Sequence, residues 1–190
     1  SNTDKLSEFF EELKRLKIKI QRPCINKCFA EFVPQENNLF YALGAIKNVG
    51  FEAISQVVDE RKKNGEFKSI SDFINRVDPK NINKLQLEGL VKAGVFDSIF
   101  DNRKTLFENI PNIIQTSKNI YENKENNQSS LFSDDVNKIS YLIPNQDKSN
   151  WSNDETLSRE FESIGFYMSD HPLRDYEYIL EQYKVKTFKD

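Results

Sequence analysis

Residues 46–54 read Ile-Lys-Asn-Val-Gly-Phe-Glu-Ala-Ile, and the chemistry such a stretch can do is to hold an anion. A turn of small residues around Gly50 leaves main-chain N–H groups bare enough to meet a phosphate oxygen. A helix starting just after it presents its positive end to the same oxygen. Val49 would anchor the turn in a core. Asn48 occupies a tight position, and asparagine is among the few side chains that tolerate the left-handed conformation. Lys47 adds a mobile charge. An ordinary strand-to-helix loop closed by a glycine would look the same over so short a stretch. A comparable pattern recurs downstream: a helical segment Leu85–Ala93, the turn Gly94-Val95-Phe96-Asp97, and a further helix from Arg103 to Tyr121. With one glycine it is the weaker reader of phosphate, and Lys84 and Lys92, which flank it, are candidate phosphate contacts.

Other residues carry less. Gln128-Ser129-Ser130-Leu131-Phe132 puts two adjacent apolar side chains in a polar stretch with no core to join. Such a pair could fill a partner's apolar pocket while Gln128 fixes its direction, or fold back onto the body. Cys24 and Cys28 with one histidine, His171, supply too few ligands for zinc, so reduced structural thiols are expected and no metal site. His171 precedes Pro172 at a helix start, a structural setting, and no catalytic residues are assigned. Arg61-Lys62-Lys63 reads as a solvated helix end that suits the helix dipole. Phe166-Tyr167 reads as core packing.

The elements that must position these residues follow from periodicity. Leu6, Phe9, Phe10, Leu13 and Leu16 mark a first helix, and Ile18 and Ile20 a short strand stopped by Pro23. Two more strands are expected near Cys28–Val33 and Leu39–Leu43. From Gly44 the pattern is helical: about Phe51 to Lys63 ended by Gly65, a short helix capped at Ser69 or Ser71, and Asn83 to Ala93 with Leu85, Leu87, Leu90 and Val91 as its apolar face. The Arg103 helix meets Pro111, a kink or break. Residues 122–150 turn polar and read as a flexible linker. A helix from about Asp154 to Ile164 and another begun by Asp170-His171-Pro172 complete the expected order.

Residues 46–54 resemble the helix-hairpin-helix motif, whose hairpin carries a Gly-aliphatic-Gly core; Asn48 stands where the first glycine is usual. The runs Gly44-Ala45-Ile46-Lys47-Asn48-Val49-Gly50 and Phe67-Lys68-Ser69-Ile70-Ser71-Asp72-Phe73 are followed by residues 83–97 and by Gly165-Phe166-Tyr167-Met168-Ser169-Asp170-His171-Pro172-Leu173. In this order and spacing they resemble the alpha subunit family of bacterial DNA polymerase III over essentially the whole chain. The resemblance implies a mainly α fold with a small β element: a tandem helix-hairpin-helix module, a disordered linker and a short α segment. Its divisions would be the end of the fingers (1–43), the DNA-binding module (44–121), a linker with a clamp-binding peptide (122–150) and a lead-in to an OB domain (151–190).

The same resemblance implies the function. Lys47, Asn48, Val49, Gly50, Lys84, Lys92 and Gly94 would contact the backbone of duplex DNA. Gln128, Ser129, Ser130, Leu131 and Phe132 would dock the β sliding clamp. Other polymerase III holoenzyme subunits would be partners of the parent. The parent would be the DNA-directed DNA polymerase, a nucleotidyltransferase whose Mg2+-binding aspartates lie in its palm, and this piece would be a non-catalytic part of it with no cofactor. Alternatives are an error-prone relative, a protein-interaction module, or a repair glycosylase, for which Glu52 is a poor catalytic residue.

Composition bounds these readings. The chain of 190 residues is 37% hydrophobic with 15 Phe and 7 Tyr, enough for a core, and its mean hydropathy of -0.68 suits a water-soluble domain. No apolar run approaches the roughly 20 residues of a membrane span, so a cytoplasmic location without membrane partners is expected. The net charge of -3 hides an asymmetry: residues 1–100 carry 16 Lys and Arg against 14 Asp and Glu, residues 101–190 carry 11 against 16. A DNA contact belongs to the first half and cannot be a broad electrostatic footprint.

Overall fold

The computed structural model describes residues 8–170 except 10, 11, 14, 126–142 and 145–148, together with residue 182. A small sheet packs at one side of a helical body. Strands β1 (Lys19–Gln21), β2 (Val33–Gln35) and β3 (Asn38–Phe40) lie in the order β1-β3-β2, with β1 parallel and β2 antiparallel to β3. The register pairs Ile20 with Leu39, and Leu39 is buried between its neighbours. Only part of the expected second strand forms. Residues 25–27 turn instead, Phe29 makes a single bridge to Ala42, and regular pairing begins at Val33. The Cys28 amide bonds back to the Cys24 carbonyl at 2.9 Å, which commits this stretch to a turn.

A 3-10 turn (Leu43–Ala45) then leads into α1 (Phe51–Asn64). Helix α1 buries Ile54, Val57, Val58 and Arg61, a three- and four-residue spacing that lays one face on the core. Arg61 corrects the reading of a solvated basic end. It is buried, donates to the Ile25 carbonyl, and lies 5.3 Å from the Phe29 ring centre, so only Lys62 and Lys63 face water. Burial lowers the Arg61 pKa from its ordinary value.

Capping explains most of the remaining helix bounds. Ser69 accepts from the Asp72 amide at the start of α2 (Ile70–Arg76). Asn83 and Gln86 form a reciprocal capping box at α3 (Lys84–Lys92). Helix α4 (Arg103–Glu108) starts at Asn102, whose side chain accepts from the Thr105 amide. The Arg103–Tyr121 helix breaks in two at Asn109, and α5 (Ile110–Glu125) carries Pro111 in its first turn, where a missing N–H costs nothing. Helix α5 runs into the stretch read as linker, and Ile143 within that stretch is fully buried. Helix α6 (Asn153–Ile164) is capped by Ser152 and closed by Gly165 in the left-handed region.

One apolar cluster runs through these elements, from Leu39 and Tyr41 through Ile46 and Ile54 to Phe73, Phe96 and Trp151. Edge-on contacts tie it together, including Phe67–Phe73 at 5.3 Å and Phe73–Phe96 at 5.1 Å. Phe166 joins it through Tyr41, while Tyr167 is partly exposed against Phe161. The fold is mainly helical with a small sheet, as the sequence implies. Among the described residues no helix is long and apolar enough to cross a membrane.

Candidate nucleic-acid interface

The first hairpin spans residues 46–50 between the 3-10 turn and α1. Ile46 and Val49 are buried and hold it to the core, while Lys47, Asn48 and Gly50 are exposed. Asn48 sits at φ 66°, the left-handed region that its side chain tolerates. Two of the hairpin amides are bonded within the protein. Lys47 N–H donates to the Ser163 carbonyl at the C-terminal end of α6, and Val49 N–H to the Ile46 carbonyl. Among the described residues the amides of Asn48 and Gly50 have no protein acceptor, and neither do those opening α1, because Gly50 brings no capping side chain. The result is a patch of unbonded amide donors, on exposed residues at Asn48 and Gly50, at the positive end of a 14-residue helix.

Helix α3 supports this hairpin from behind. A Cβ on Gly89 would fall 2.7 Å from the Lys47 carbonyl oxygen, so only glycine lets the helix come this close. Lys47, Asn48, Leu85, Glu88, Lys92 and Glu162 line a shallow depression at the junction. Leu85, read as part of the apolar face of α3, is 57% exposed there. It lies on the hairpin side of the helix, away from the core that Leu87 and Leu90 enter. Lys47 makes no ion pair among the described residues. Lys92 is held at 2.9 Å by Glu162 and lies 5.5 Å from the Phe107 ring centre. That hydrogen bond, with the nearby charge of Lys47, keeps the Glu162 carboxyl below the usual carboxylate range. Lys84 is exposed and 3.7 Å from Glu88.

Gly94 lies past the other end of α3 and joins none of these residues. Its amide donates to the Val91 carbonyl and that of Val95 to Leu90, the paired bonds of a Schellman cap, with Gly94 at φ 73°. Arg103 covers it: a Cβ on Gly94 would lie 2.1 Å from a guanidinium nitrogen. Arg103 Nη2 donates to Asp97 at 2.6 Å and Nη1 to the Lys92 carbonyl at 3.3 Å, and the guanidinium lies 3.7 Å from Glu160. Glu160 is buried and accepts from the amides of Met168 and Ser169 at 3.0 and 2.9 Å. Burial alone would lower the Arg103 pKa; the hydrogen bond and charge of Asp97, with Glu160, outweigh it and raise it. Sequence reasoning missed this clasp, because its carboxylates and its cation come from separate stretches of chain.

Residues 128–132 and His171 lie outside the described residues. Cys24 and Cys28 are free thiols. Cys28 is buried, and desolvation pushes its pKa up to about 11. Among the described residues no group of three or more His, Cys, Asp or Glu gathers as metal ligands would.

The family model for the helix-hairpin-helix motif matches residues 17–106. The DNA polymerase III subunit alpha of Borreliella burgdorferi is 40% identical over 96% of this chain and that of Campylobacter jejuni 38% over 94%, while the Caulobacter vibrioides subunit is 36% identical over 92%. This chain spans 16%, 15% and 15% of those relatives' own lengths, in the same order. The chain is homologous to one region of the DNA polymerase III alpha subunit, the region that carries the helix-hairpin-helix motif.

Proposed function

We propose that this chain holds duplex DNA by its phosphates, without reading base sequence, within a replicative polymerase. The catalytic aspartates and their Mg2+ ions would belong to other parts of the parent. The observation that carries the reading is the pair of exposed residues Asn48 and Gly50 whose amides have no protein acceptor among the described residues, with Lys47 beside them and the start of α1 following. Backbone donors of this kind meet a phosphodiester oxygen of any nucleotide, which is why the grip is indifferent to sequence. One hairpin with flanking lysines neutralises few phosphates. Log affinity should therefore fall against log salt with a slope of about -2 to -3, and the chain alone should bind at about 10⁻⁴ M or weaker at physiological salt.

Fluorescence anisotropy of short duplexes across a salt series tests this. Lys47→Met should weaken binding uniformly over sequences and reduce the slope by about 1. A slope near zero in the unaltered chain, or strong dependence on base sequence, would sink the reading.

Gln128–Phe132 is proposed as the docking peptide for the β sliding clamp. The support is its pattern of a glutamine followed by an adjacent Leu131-Phe132 pair in a polar stretch. A clamp tethered this way would turn release from DNA into a local event. Replacing Leu131 and Phe132 together by alanine should abolish clamp binding measured by calorimetry, and equal affinity of the two forms would remove the claim. Other polymerase III holoenzyme subunits remain proposed partners of the parent.

A further inference from the structure

We propose that Gln86 is a further phosphate ligand of the first hairpin, supplied from α3 and aimed by its own capping box. The inference rests on the duplex reading above and adds a neutral donor to it. Asn83 N–H donates to Gln86 Oε1 at 2.7 Å, and Gln86 N–H donates to Asn83 Oδ1 at 3.0 Å. A backbone N–H can only donate, so the side-chain atom facing it is the carbonyl oxygen and the amide nitrogen points the other way. That other way is toward Gly50: a Cβ built there would stand 3.3 Å from Gln86 Nε2. Nε2 has no acceptor among the described residues. Gln86 is partly buried, and one end of its amide is already fixed, so little rotamer freedom remains to be lost on binding.

Three donors without a protein acceptor among the described residues then lie at the turn: the Asn48 amide, the Gly50 amide and Gln86 Nε2. They come from two elements that Gly89 allows to touch. A cluster of fixed neutral donors suits a phosphodiester oxygen, whose lone pairs have direction. Lys47, being mobile and exposed, contributes attraction without direction.

The test compares Gln86→Glu with Gln56→Glu, using the full 190-residue chain and a fluorescent primed duplex. Glutamate accepts from the Asn83 amide as glutamine does, so the capping box and the melting temperature should stay. Gln56 is exposed on α1 and takes the same charge change away from the turn. Q86E should weaken duplex binding about tenfold, about fivefold from the lost hydrogen bond to a charged group and about twofold from the added charge. Q56E should weaken it about twofold through long-range charge alone. A neutral variant, Gln86→Met, should lose about fivefold with an unchanged salt slope, because no charge is removed. Equal affinities for Q86E and Q56E, or unaltered affinity for Q86M, would overturn the assignment and leave the duplex reading standing. Absence of salt-dependent binding in the unaltered chain would bring down both.

Discussion

The two turns share a residue at positive φ, Asn48 and Gly94, and differ in what their backbones have left to offer. At residues 46–50 the turn is made by an asparagine, and two amides of exposed residues have no protein acceptor among the described residues. At residues 93–97 a true glycine makes the turn, yet its amide and that of Val95 are consumed by a Schellman cap, and Arg103 covers the glycine. A positive φ therefore says nothing by itself about whether a turn has donors to spare. What separates the two is where each N–H goes, a question that no glycine pattern in a sequence answers.

The contrast can be broken by experiment. The largest effect is expected from Arg103→Met, which leaves Glu160 buried without its cationic neighbour and should cost about 3 kcal/mol in urea unfolding. The folded variant should keep the duplex affinity and salt slope of the unaltered chain, and a shallower slope would show that the second hairpin reads phosphate after all. A smaller effect is expected from Asn48→Gly. Stability should stay within about 0.5 kcal/mol, since glycine adopts φ 66° freely. Loss of the side chain should tighten duplex binding about threefold, or roughly 0.6 kcal/mol; weaker binding would mean that the asparagine side chain itself contacts DNA.

The smallest effect concerns Glu162, whose carboxyl the Lys92 hydrogen bond holds below its ordinary range. A depressed carboxyl contributes stability above the ordinary glutamate pKa of about 4.3, and that contribution is lost as pH falls through the lowered value. Glu162→Gln should remove this part of the acid limb. The change should be only a few tenths of a kcal/mol, because the Glu162 side chain is more than half exposed and its charge is screened by water. An unchanged acid-unfolding curve would show that the pair contributes nothing.

Much of the fold is legible from local rules. Ser69, Asn83 and Ser152 start helices, and Gly65 and Gly165 stop them, because capping depends on a few neighbouring residues. The first hairpin is legible for the same reason. Tertiary placement is what local rules miss. Arg61 looks like one of three solvated cations, but α1 turns it under the 22–29 loop to meet the Ile25 carbonyl. Leu85 fits an apolar stripe by spacing, but the close approach at Gly89 turns that edge of α3 toward Lys47 and Asn48. Gln86 carried a visible signal, the Asn-x-x-Gln pattern of a capping box, whose second use depends on a contact with Gly50.

Position 89 shows how one missing methyl group can govern a distant turn. A helix interior prefers alanine to glycine by about 1 kcal/mol, so chain-local pressure alone would replace it. Here alanine would collide with the carbonyl of Lys47 and pry the helix off the hairpin, carrying Gln86 away from Gly50. The spacing between the two halves of the donor set is therefore gauged by an atom that is not there. A substitution at 89 should be felt first as a change of grip, in a chain that still folds.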